Sequence, residues 1–414
     1  MHRTMILVAL TASGAAVRLA PPLSRSTIPL QRRSRVVPVL LAPSLSEDRT
    51  KTGASSVADD RVTVSKLLAL GRTRFLLYSP VSYAIGVAYA GSLGRISILS
   101  PAVLLGLLNV LCVHSMTHFF NEYFDYPTDC QHENPSPWTG GSKVLPRGLL
   151  QRRVALRAGW ILAAFSCLFF TLPTMTLLST ASVGGVAAAR MYGGIAALAV
   201  VLSIGYSAPP LRLNSRGLGE LDVALVLNIL TPLLGYAAAA AYVPGLSSAP
   251  PPRLLATLTP VCMVEYARMS VMNLADVKPD RATGKKTLPV RLGAARTKRM
   301  HSLVTVGAYP FTALLALVGA MSEASACAFL ATLPLALTHV RSIARAAWSF
   351  KAPFWASQYN ALSMVVTLLA FLAQAVPTMG SSQALLLAAV LLPSMTTWPL
   401  LCAEIGVHFR PWRS

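Results

Sequence analysis

The stretch SILSPAVLLGLLNVLCVHSMTHFFNEYFDYPTD (97–129) decides the fold class of this chain. It contains no Asp, Glu, Lys or Arg before Glu122, so its apolar part exceeds the roughly 18 residues that can span a bilayer. Near its end, Asn121, Asp125 and Asp129 follow one another at intervals of four, which places three oxygen ligands on one face of a helix. The stretch therefore predicts a transmembrane helix that ends in a carboxylate motif.

The whole chain has the composition of a membrane protein. Of its 414 residues, 54% are hydrophobic and 12% are charged, whereas about 25% of the residues in soluble domains are charged. Ten apolar stretches predict spans, and the eighth is the least regular because basic residues crowd its end. The spans lie at 75–94, 97–124, 154–174, 188–207, 221–243, 253–275, 300–321, 324–343, 354–376 and 382–402. We expect an all-α integral membrane protein, one polytopic domain over 61–405 with nine or ten transmembrane helices.

Charge and cysteine patterns argue against two classes of protein. The net charge of +21 could indicate nucleic-acid binding, but Lys and Arg accumulate in alternate loops, after spans two, four, six and eight. This is the pattern of the basic side of a membrane protein, so no nucleic-acid partner is expected. The six cysteines lie far apart without a CxxC pair, which indicates neither a disulfide framework nor a zinc site.

Residues 1–60 differ from the rest of the chain. The first 46 contain no acidic residue, many Arg and Ser, and one short apolar run at 5–16. Such a composition is typical of an organelle import sequence. We expect this segment to be a targeting presequence and linker, cleaved or disordered, in a protein of a plastid membrane, with the mitochondrial inner membrane as the alternative.

Acidic residues are few and grouped. The chain has 15, and most of those within the span region fall in 121–133, at Glu220 and Asp222, or in 265–280. All three groups lie at basic-side ends of spans, so they share one face of the membrane. Because a carboxylate at membrane depth is costly and usually functional, this face is the expected site.

The segment NLADVKPD (273–280) repeats the first motif at the end of span six. It places Asn273, Asp276 and Asp280 at i, i+3 and i+7, again on one helix face. Two such stripes facing each other would form a cage of hard oxygen ligands. Mg²⁺ suits such a cage because it completes its shell with water and phosphate oxygens. We predict one metal ion at each motif and catalytic roles for the four aspartates.

Basic and aromatic side chains near the two motifs are candidate substrate ligands. Arg can clamp a phosphate in bidentate fashion and Lys can act as a point charge, although each basic residue here could equally anchor lipid headgroups. The expected diphosphate ligands are Lys143, Arg147, Arg212, Lys278, Arg281 and Lys285. The expected cavity-lining residues are Tyr206, Tyr123, His118 and Arg74.

Two polar pairs inside the spans have simpler interpretations than metal binding. His114 and His118, one turn apart on the face of Asn121, are favoured as polar cavity lining rather than metal ligands. Glu265 and Arg268 in span six are most simply an intrahelical ion pair. Their depth leaves a substrate-facing role open.

The two motifs together resemble the UbiA superfamily of membrane prenyltransferases. The resemblance covers residues 66–376. It includes YSAPPLRLNSRGLGELD (206–222) and DRATGKKTLPVRLG (280–293), which are similar to the family's loops after helix four and after the second aspartate motif. It implies a UbiA-type bundle around a central cavity, with the prenyl tail in the bundle and the diphosphate under the basic-side loops.

Within that family, NEYFDYPTD followed by GGSKVLPRG (140–148) looks most like the branch that prenylates 1,4-dihydroxy-2-naphthoate on the way to phylloquinone or menaquinone. Glu122 and Pro127 depart from the pattern of many relatives. The resemblance implies Mg²⁺-dependent transfer of a phytyl or polyprenyl group from its diphosphate, with loss of CO₂ from the acceptor.

Other functions remain open at this point. The alternative acceptors are homogentisate, 4-hydroxybenzoate and a chlorophyllide. A polytopic transporter of an anionic substrate is a different class, but it predicts charges near the midplane and repeat symmetry. The expected partners are an isoprenoid diphosphate, a small aromatic acceptor and the lipid bilayer, with no obligate protein partner.

Overall fold

Helices make up most of the chain that the structure describes, as the apolar stretches predict. The structure is a computed structural model and describes residues 62–76, 78–133, 139–179, 183–240, 249–345 and 351–392. The α-helices are α1 (Val64–Leu70), α2 (Tyr78–Leu93), α3 (Pro101–Phe124), α4 (Tyr126–Cys130), α5 (Arg152–Ser179), α6 (Val183–Ser207), α7 (Gly219–Leu225), α8 (Thr231–Ala240), α9 (Pro252–Met272), α10 (Val277–Ala282), α11 (Leu288–Leu292), α12 (Ala294–Leu317), α13 (Glu323–Leu330), α14 (Leu333–Arg345), α15 (Lys351–Met379) and α16 (Ser381–Ala388).

Seven helical segments within the described ranges are long and apolar enough to cross a membrane. They are α3, α5, α6, α7 with α8, α12, α13 with α14, and α15. The 16-residue α2 and the charge-bearing α9 coincide with two further predicted spans. α16 covers the start of the tenth, but residues 393–414 lie outside the described part. The all-α membrane fold is therefore confirmed, while the count of nine or ten spans stays a prediction.

The proposed boundaries of the presequence and of the domain also stay predictions. Residues 1–61 lie outside the described ranges, and so do the last residues of the 61–405 domain.

Helix α3 begins and ends where its sequence dictates. Ser100 caps it by accepting a hydrogen bond from the Val103 backbone N–H, with Pro101 in the first turn, a position that proline favours. It ends at Phe124, because Pro127 fits the first turn of a new helix but not the interior of a long one. The helix is interrupted at Asp125, where the chain bends and continues as α4, and Pro127 is the residue expected to disturb the last turn of the predicted stripe.

The second motif is divided in the same way. Helix α9 ends at Met272, a short turn follows, and Asp276 stands at the N-terminus of α10. Asn273 and Asp280 thus belong to different elements, so the chain turns within each motif and can direct its side chains from two directions.

A π turn shapes the helical pair α7 and α8. Pro232 has no N–H for the carbonyl oxygen four residues earlier, and the helix widens into one π turn over Val226–Leu230. The Thr231 hydroxyl donates to the Val226 carbonyl oxygen at 2.8 Å, which also accepts from the Thr231 backbone N–H. π turns occur often at functional sites, and side chains of this one face the central cavity.

Glycine lets α2 and α8 pack backbone to backbone. A Cβ atom at Gly86 would lie 1.7 Å from the Pro232 carbonyl oxygen, and one at Gly235 would lie 2.2 Å from that of Tyr83. Small residues drive close helix packing in membranes. This contact holds the N-terminal end of α2 beside the cavity.

Candidate active site

One large cavity lies between α2, α3, α6, the α7–α8 pair and α9. Its volume of about 230 Å³ far exceeds the ~10–15 Å³ that one water needs, so it is a substrate-sized space and not a packing defect. The lining is apolar along Val113, Leu230 and Leu234. It is polar where the loops that carry both aspartate motifs meet, which gives the cavity one charged end.

The first motif is organised around Asp125, which is 8% exposed. Its Oδ2 accepts from Asn121 Nδ2 at 2.6 Å and from Asn214 Nδ2 at 3.0 Å. Lys285 Nζ lies 2.7 Å from the same oxygen. Asn121, Asp125 and Asp129 all line the cavity, so the structure brings together the residues that the sequence predicts as the first metal site.

The second motif lines the opposite side of the same end. Asp280 accepts from the Thr287 hydroxyl at 3.0 Å, and Asn273 donates to Glu220 at 2.9 Å. Asp276 Oδ1 lies 2.8 Å from His132 Nε2, but the two atoms are not aligned for a hydrogen bond. All three predicted members therefore face the cavity.

Lys285 stands between the two motifs. Its ammonium group is 2.7 Å from Asp125 and 3.8 Å from Asp280, and its side chain is 12% exposed. Burial alone would lower the pKa of Lys285, but the two carboxylates raise it above the ordinary value. No three acidic, His or Cys side chains of the described residues form a metal cage by themselves. The two motifs face each other across one lysine, and the oxygen cage around a metal ion stays a prediction.

Unpartnered oxygen atoms test whether these residues fit Mg²⁺. Asp129 Oδ2 and Asp276 Oδ1 are buried without a hydrogen-bond partner among the described residues. Leaving a buried acceptor unsatisfied costs about 1–3 kcal/mol, so Asp129 Oδ2 marks a place for a cation or a hydrogen-bond donor, while Asp276 Oδ1 has His132 Nε2 2.8 Å away. Carboxylate and amide oxygens with room for phosphate are what Mg²⁺ prefers. This set of oxygen ligands therefore fits Mg²⁺.

The pKa values of two motif aspartates predict how metal binding depends on pH. Burial is the main cause that raises the pKa of Asp129 to about 7 and that of Asp280 to about 7. In the unfolded chain both groups ionise near pH 4. The folded, metal-free protein therefore holds more protons between these values, and its stability falls as pH rises through 7. A metal ion must displace those protons.

We expect Mg²⁺ to raise the midpoint of thermal unfolding little at pH 5.5 and strongly at pH 8.5. The measurement is a melting curve of the purified protein with Mg²⁺ or EDTA across this range. The double variant Asp129→Asn Asp280→Asn should lose the pH-dependent part. Equal stabilisation by Mg²⁺ at both pH values would contradict the assignment.

Gly141 gives the close approach that Asp129 requires. A Cβ atom there would lie 2.3 Å from Asp129 Oδ2, whereas one at Gly148 would meet nothing within 4 Å. Both glycines have left-handed φ, +75° and +69°, so alanine strains both by a similar amount of about 1–2 kcal/mol. We expect Gly141→Ala to raise the half-saturating Mg²⁺ concentration about tenfold or more, with Gly148→Ala as the matched control. Equal Mg²⁺ titrations of the two variants would refute this role of Gly141.

Only one of the six predicted basic diphosphate ligands lines the cavity. That residue is Lys285. Lys143 Nζ instead donates to the Asp129 backbone oxygen at 2.6 Å, and the exposed Lys278 pairs with Glu133 at 2.8 Å. The remaining three predicted ligands are exposed and outside the lining: Arg147, Arg212 and Arg281.

Arg72 is a cavity-lining cation that sequence reasoning missed. It pairs at 2.7 Å with Glu122, a fully buried carboxylate that also accepts from the backbone N–H and the hydroxyl of Ser142 at 2.7 and 2.6 Å. This network ties the segment before α2 to α3 and to the GGSK loop. Arg72 has a φ of 47° in a turn outside any motif, so no signal marked it.

Two of the four residues predicted to line the cavity do so in the structure. Tyr206 and His118 line the cavity. Tyr123 does not, because two positions from Asn121 on a helix is a rotation of about 200°. It packs instead under the guanidinium of Arg152, 4.8 Å from the ring centre. The side chain of Arg74 lies outside the described part of the structure.

Three further residues of the site belong to the segment 206–222. Asn214 donates a hydrogen bond to Asp125, Glu220 accepts one from Asn273, and Asp222 lines the cavity. The resemblance of this segment to a family loop was the signal that could have identified them.

The fold and the site define a helical membrane protein with paired aspartate motifs at one end of a substrate cavity. The model of the UbiA prenyltransferase family matches residues 79–357, about two thirds of the chain. The chain therefore belongs to the UbiA prenyltransferase family, and it is a multi-pass membrane prenyltransferase.

Solved structures agree in fold. A UbiA homologue from Archaeoglobus fulgidus bound to GPP and Mg²⁺ matches with a TM-score of 0.52 and 17% identity, over 75% of this chain and 99% of that one. The same homologue bound to DMAPP and Mg²⁺ gives 0.51 and 16%, over 74% and 99%. A digeranylgeranylglyceryl phosphate synthase gives 0.51 and 16%, over 76% and 99%. A search of curated proteins finds no match.

Proposed function

We propose that this enzyme transfers a phytyl or polyprenyl group from its diphosphate to 1,4-dihydroxy-2-naphthoate, in a Mg²⁺-dependent step of phylloquinone or menaquinone biosynthesis in a plastid membrane. The observation that carries the proposal is the meeting of both aspartate motifs at one end of a single apolar cavity, with Lys285 between them. The A. fulgidus homologue, described as bound to Mg²⁺ with GPP or DMAPP, supports an isoprenoid diphosphate as the prenyl donor.

The charged end of the cavity suits the diphosphate. Asn121, Asp125 and Asp129 with Asn273, Asp276 and Asp280 would hold Mg²⁺, which would supply Lewis-acid stabilisation of the leaving group. Lys285 and Arg72 contribute fixed positive charge at the same end. Because Lys285 and Arg72 are already in place, they stabilise the charge that develops on the diphosphate oxygen as the allylic C–O bond breaks.

The apolar part of the cavity suits the prenyl chain and its cation. Val113, Leu230 and Leu234 make this part of the lining apolar, and an apolar, water-poor cavity protects an allylic cation from quenching. Tyr206 lines the cavity on the α6 side, and its ring face can stabilise that cation. The aromatic acceptor then attacks the cation.

Arg268 supports an acceptor that carries a carboxylate. It is buried, lines the cavity and forms a bidentate pair with Glu265, while its Nη1 contacts the Ser357 hydroxyl only at 3.4 Å. A carboxylate near this guanidinium gains a charge-assisted partner. The acceptor branch itself rests on the NEYFDYPTD and GGSKVLPRG resemblance. The transporter alternative loses its basis because the chain belongs to a prenyltransferase family.

The test is prenyl transfer in membranes from a host that lacks this activity, with empty-vector membranes as the control. Phytyl, geranylgeranyl and solanesyl diphosphates are each combined with dihydroxynaphthoate, homogentisate, 4-hydroxybenzoate or chlorophyllide, with Mg²⁺ or EDTA. We expect prenylated naphthol and release of CO₂ from carboxyl-labelled dihydroxynaphthoate, with Mg²⁺ only. Transfer to another acceptor alone would overturn the naphthoate assignment and keep the enzyme class.

A further inference from the structure

We propose that His118, His114 and Ser79 form a proton relay, in which His118 takes the hydroxyl proton of the aromatic acceptor during prenyl transfer and returns it when the acceptor loses its carboxylate. The inference rests on the proposed function. It assigns His118 as a catalytic residue and the other two as positioning residues.

The three side chains are connected in series. His114 Nε2 lies 3.1 Å from His118 Nε2, and His114 Nδ1 is hydrogen-bonded to the Ser79 hydroxyl. All three residues line the cavity. Two imidazole nitrogens at this distance share one proton, because a neutral ring has one donor and one acceptor nitrogen. A proton that arrives at His118 can therefore move on to His114.

His118 has one nitrogen left for a ligand. Its Nε2 is engaged by His114, and no described residue makes a hydrogen bond to its Nδ1. Phe75 stacks on the ring with centroids 5.6 Å apart, which fixes the ring plane. The free Nδ1 of a fixed imidazole in a substrate cavity is the arrangement that a general base requires.

The position of His118 along α3 suits the acceptor and not the diphosphate. It precedes Asn121 by three residues and Asp125 by seven, so it lies about 10 Å along the helix axis from Asp125. The diphosphate belongs to the aspartate end. The reacting allylic carbon and the ring that attacks it belong on the side of the cavity where His118 stands.

Asn109 is a further buried polar residue of the cavity lining, about 13.5 Å from His118 along the axis of α3. Its Nδ2 donates to the Ser166 carbonyl oxygen at 2.9 Å, which fixes the orientation of the amide because a carbonyl can only accept. The opposite atom, Oδ1, is buried without a partner among the described residues, and Asn109 lines the cavity. A polar group of a ligand in this part of the cavity would satisfy it.

The proposed step balances without any other reactant. The allylic C–O bond breaks with its electron pair on the diphosphate, and the ring carbon that bears the carboxylate forms the new C–C bond. The adjacent hydroxyl becomes a carbonyl as its proton moves to His118. The bond to the carboxylate then breaks, CO₂ leaves, and the electron pair returns through the ring to the oxygen, which recovers the proton.

A closed relay fits this reaction because it releases no net proton. Ser79 is 3% exposed, and its hydroxyl makes no further hydrogen bond to a described residue. The pair can hold the proton for the lifetime of the intermediate and give it back. An acceptor that lost a ring C–H would instead require a route for the proton to leave.

The experiment compares His118→Gln and His114→Gln with His301→Gln in purified enzyme, using labelled donor and dihydroxynaphthoate. His301 is the matched control: it is buried and paired Nε2 to Nε2 with His339 at 3.2 Å, but it does not line the cavity. We expect His118→Gln to lower kcat about 10²- to 10³-fold, with the KM for acceptor and the binding of donor diphosphate nearly unchanged. If His118→Gln does not bind the donor diphosphate, His114→Gln is compared with His301→Gln in its place.

A second readout separates a base from a structural residue. A ring-halogenated naphthoate whose hydroxyl is already ionised at the assay pH should restore at least about a tenth of the lost rate in His118→Gln. A kcat close to that of wild type, a loss confined to KM, or an equal loss in His301→Gln would overturn the relay. If wild type transfers to dihydroxynaphthoate and His118→Gln does so equally, the relay alone fails; if wild type transfers to no carboxylated acceptor, the proposed function and the relay fail together.

Discussion

Asp125→Asn should lower kcat about 10³-fold or more in enzyme that remains folded. Asp125 is the residue on which Asn121, Asn214 and Lys285 converge. An amide of the same shape has no charge to bind Mg²⁺ or to balance Lys285. Its nitrogen would also face the two donor nitrogens of Asn121 and Asn214. The measurement is steady-state prenyl transfer, with donor binding and thermal unfolding as checks on folding.

The matched control for this variant is Glu133→Gln. Glu133 lies four residues beyond Asp129, but it is exposed and contacts Lys278 at 2.8 Å. Exposed ion pairs contribute little, so activity should stay near that of wild type. Retention of more than about a tenth of kcat in Asp125→Asn would show that the first motif does not hold the catalytic metal.

Lys285→Met should lower kcat/KM for the donor about 10²- to 10³-fold, mostly through a higher KM. Lys285 is the ammonium group between Asp125 and Asp280. Methionine keeps most of its length and removes its charge, which leaves buried carboxylates without compensation and the diphosphate without one of its fixed cations. The measurement is donor titration at saturating Mg²⁺ and acceptor.

Lys278→Met is the control, since Lys278 lies near the same motif but is 77% exposed. We expect its donor KM to match that of wild type. If both lysine variants lose activity equally, the basic loop attracts the diphosphate only through its overall positive charge, and Lys285 is not a specific diphosphate ligand.

Much of the fold follows from the sequence because a membrane imposes a simple rule. Apolar stretches of sufficient length must be helical, since every backbone group in lipid needs an internal partner. The segment 97–124 therefore predicts α3 to within a few residues. Pro127 indicates that the last turn of the first motif is disturbed, but the sequence does not show that α3 ends at Phe124 and that a new helix follows Asp125.

The site was predictable where residue type and spacing coincide. Both Asn/Asp motifs reach one cavity because each ends a span on the same side of the bundle. Arg72 and Asn214 could not be inferred in this way. They come from turns with no periodic pattern, and their roles depend on contacts with residues 50 or more positions away, which tertiary packing alone decides.

Basic residues show the same limit. Lys278 lies within the second motif and Lys285 five residues after it, yet Lys278 pairs with Glu133 at the surface and Lys285 is buried between both motifs. The sequence predicts positive charge near the aspartate motifs. Which of these lysines lies between the motifs depends on the tertiary structure.

The central claim is that the two aspartate motifs together hold a metal-bound prenyl diphosphate. The most direct measurement is a structure of the protein with Mn²⁺ and a non-reactive prenyl thiodiphosphate, with anomalous scattering to locate the metal. We predict Mn²⁺ coordinated by oxygens of Asp125 or Asp129 and of Asp276 or Asp280, with the diphosphate between the motifs and Lys285 on a phosphate oxygen. Metal at the His114–His118 pair with both motifs empty, or a diphosphate bound outside this end of the cavity, would contradict the account.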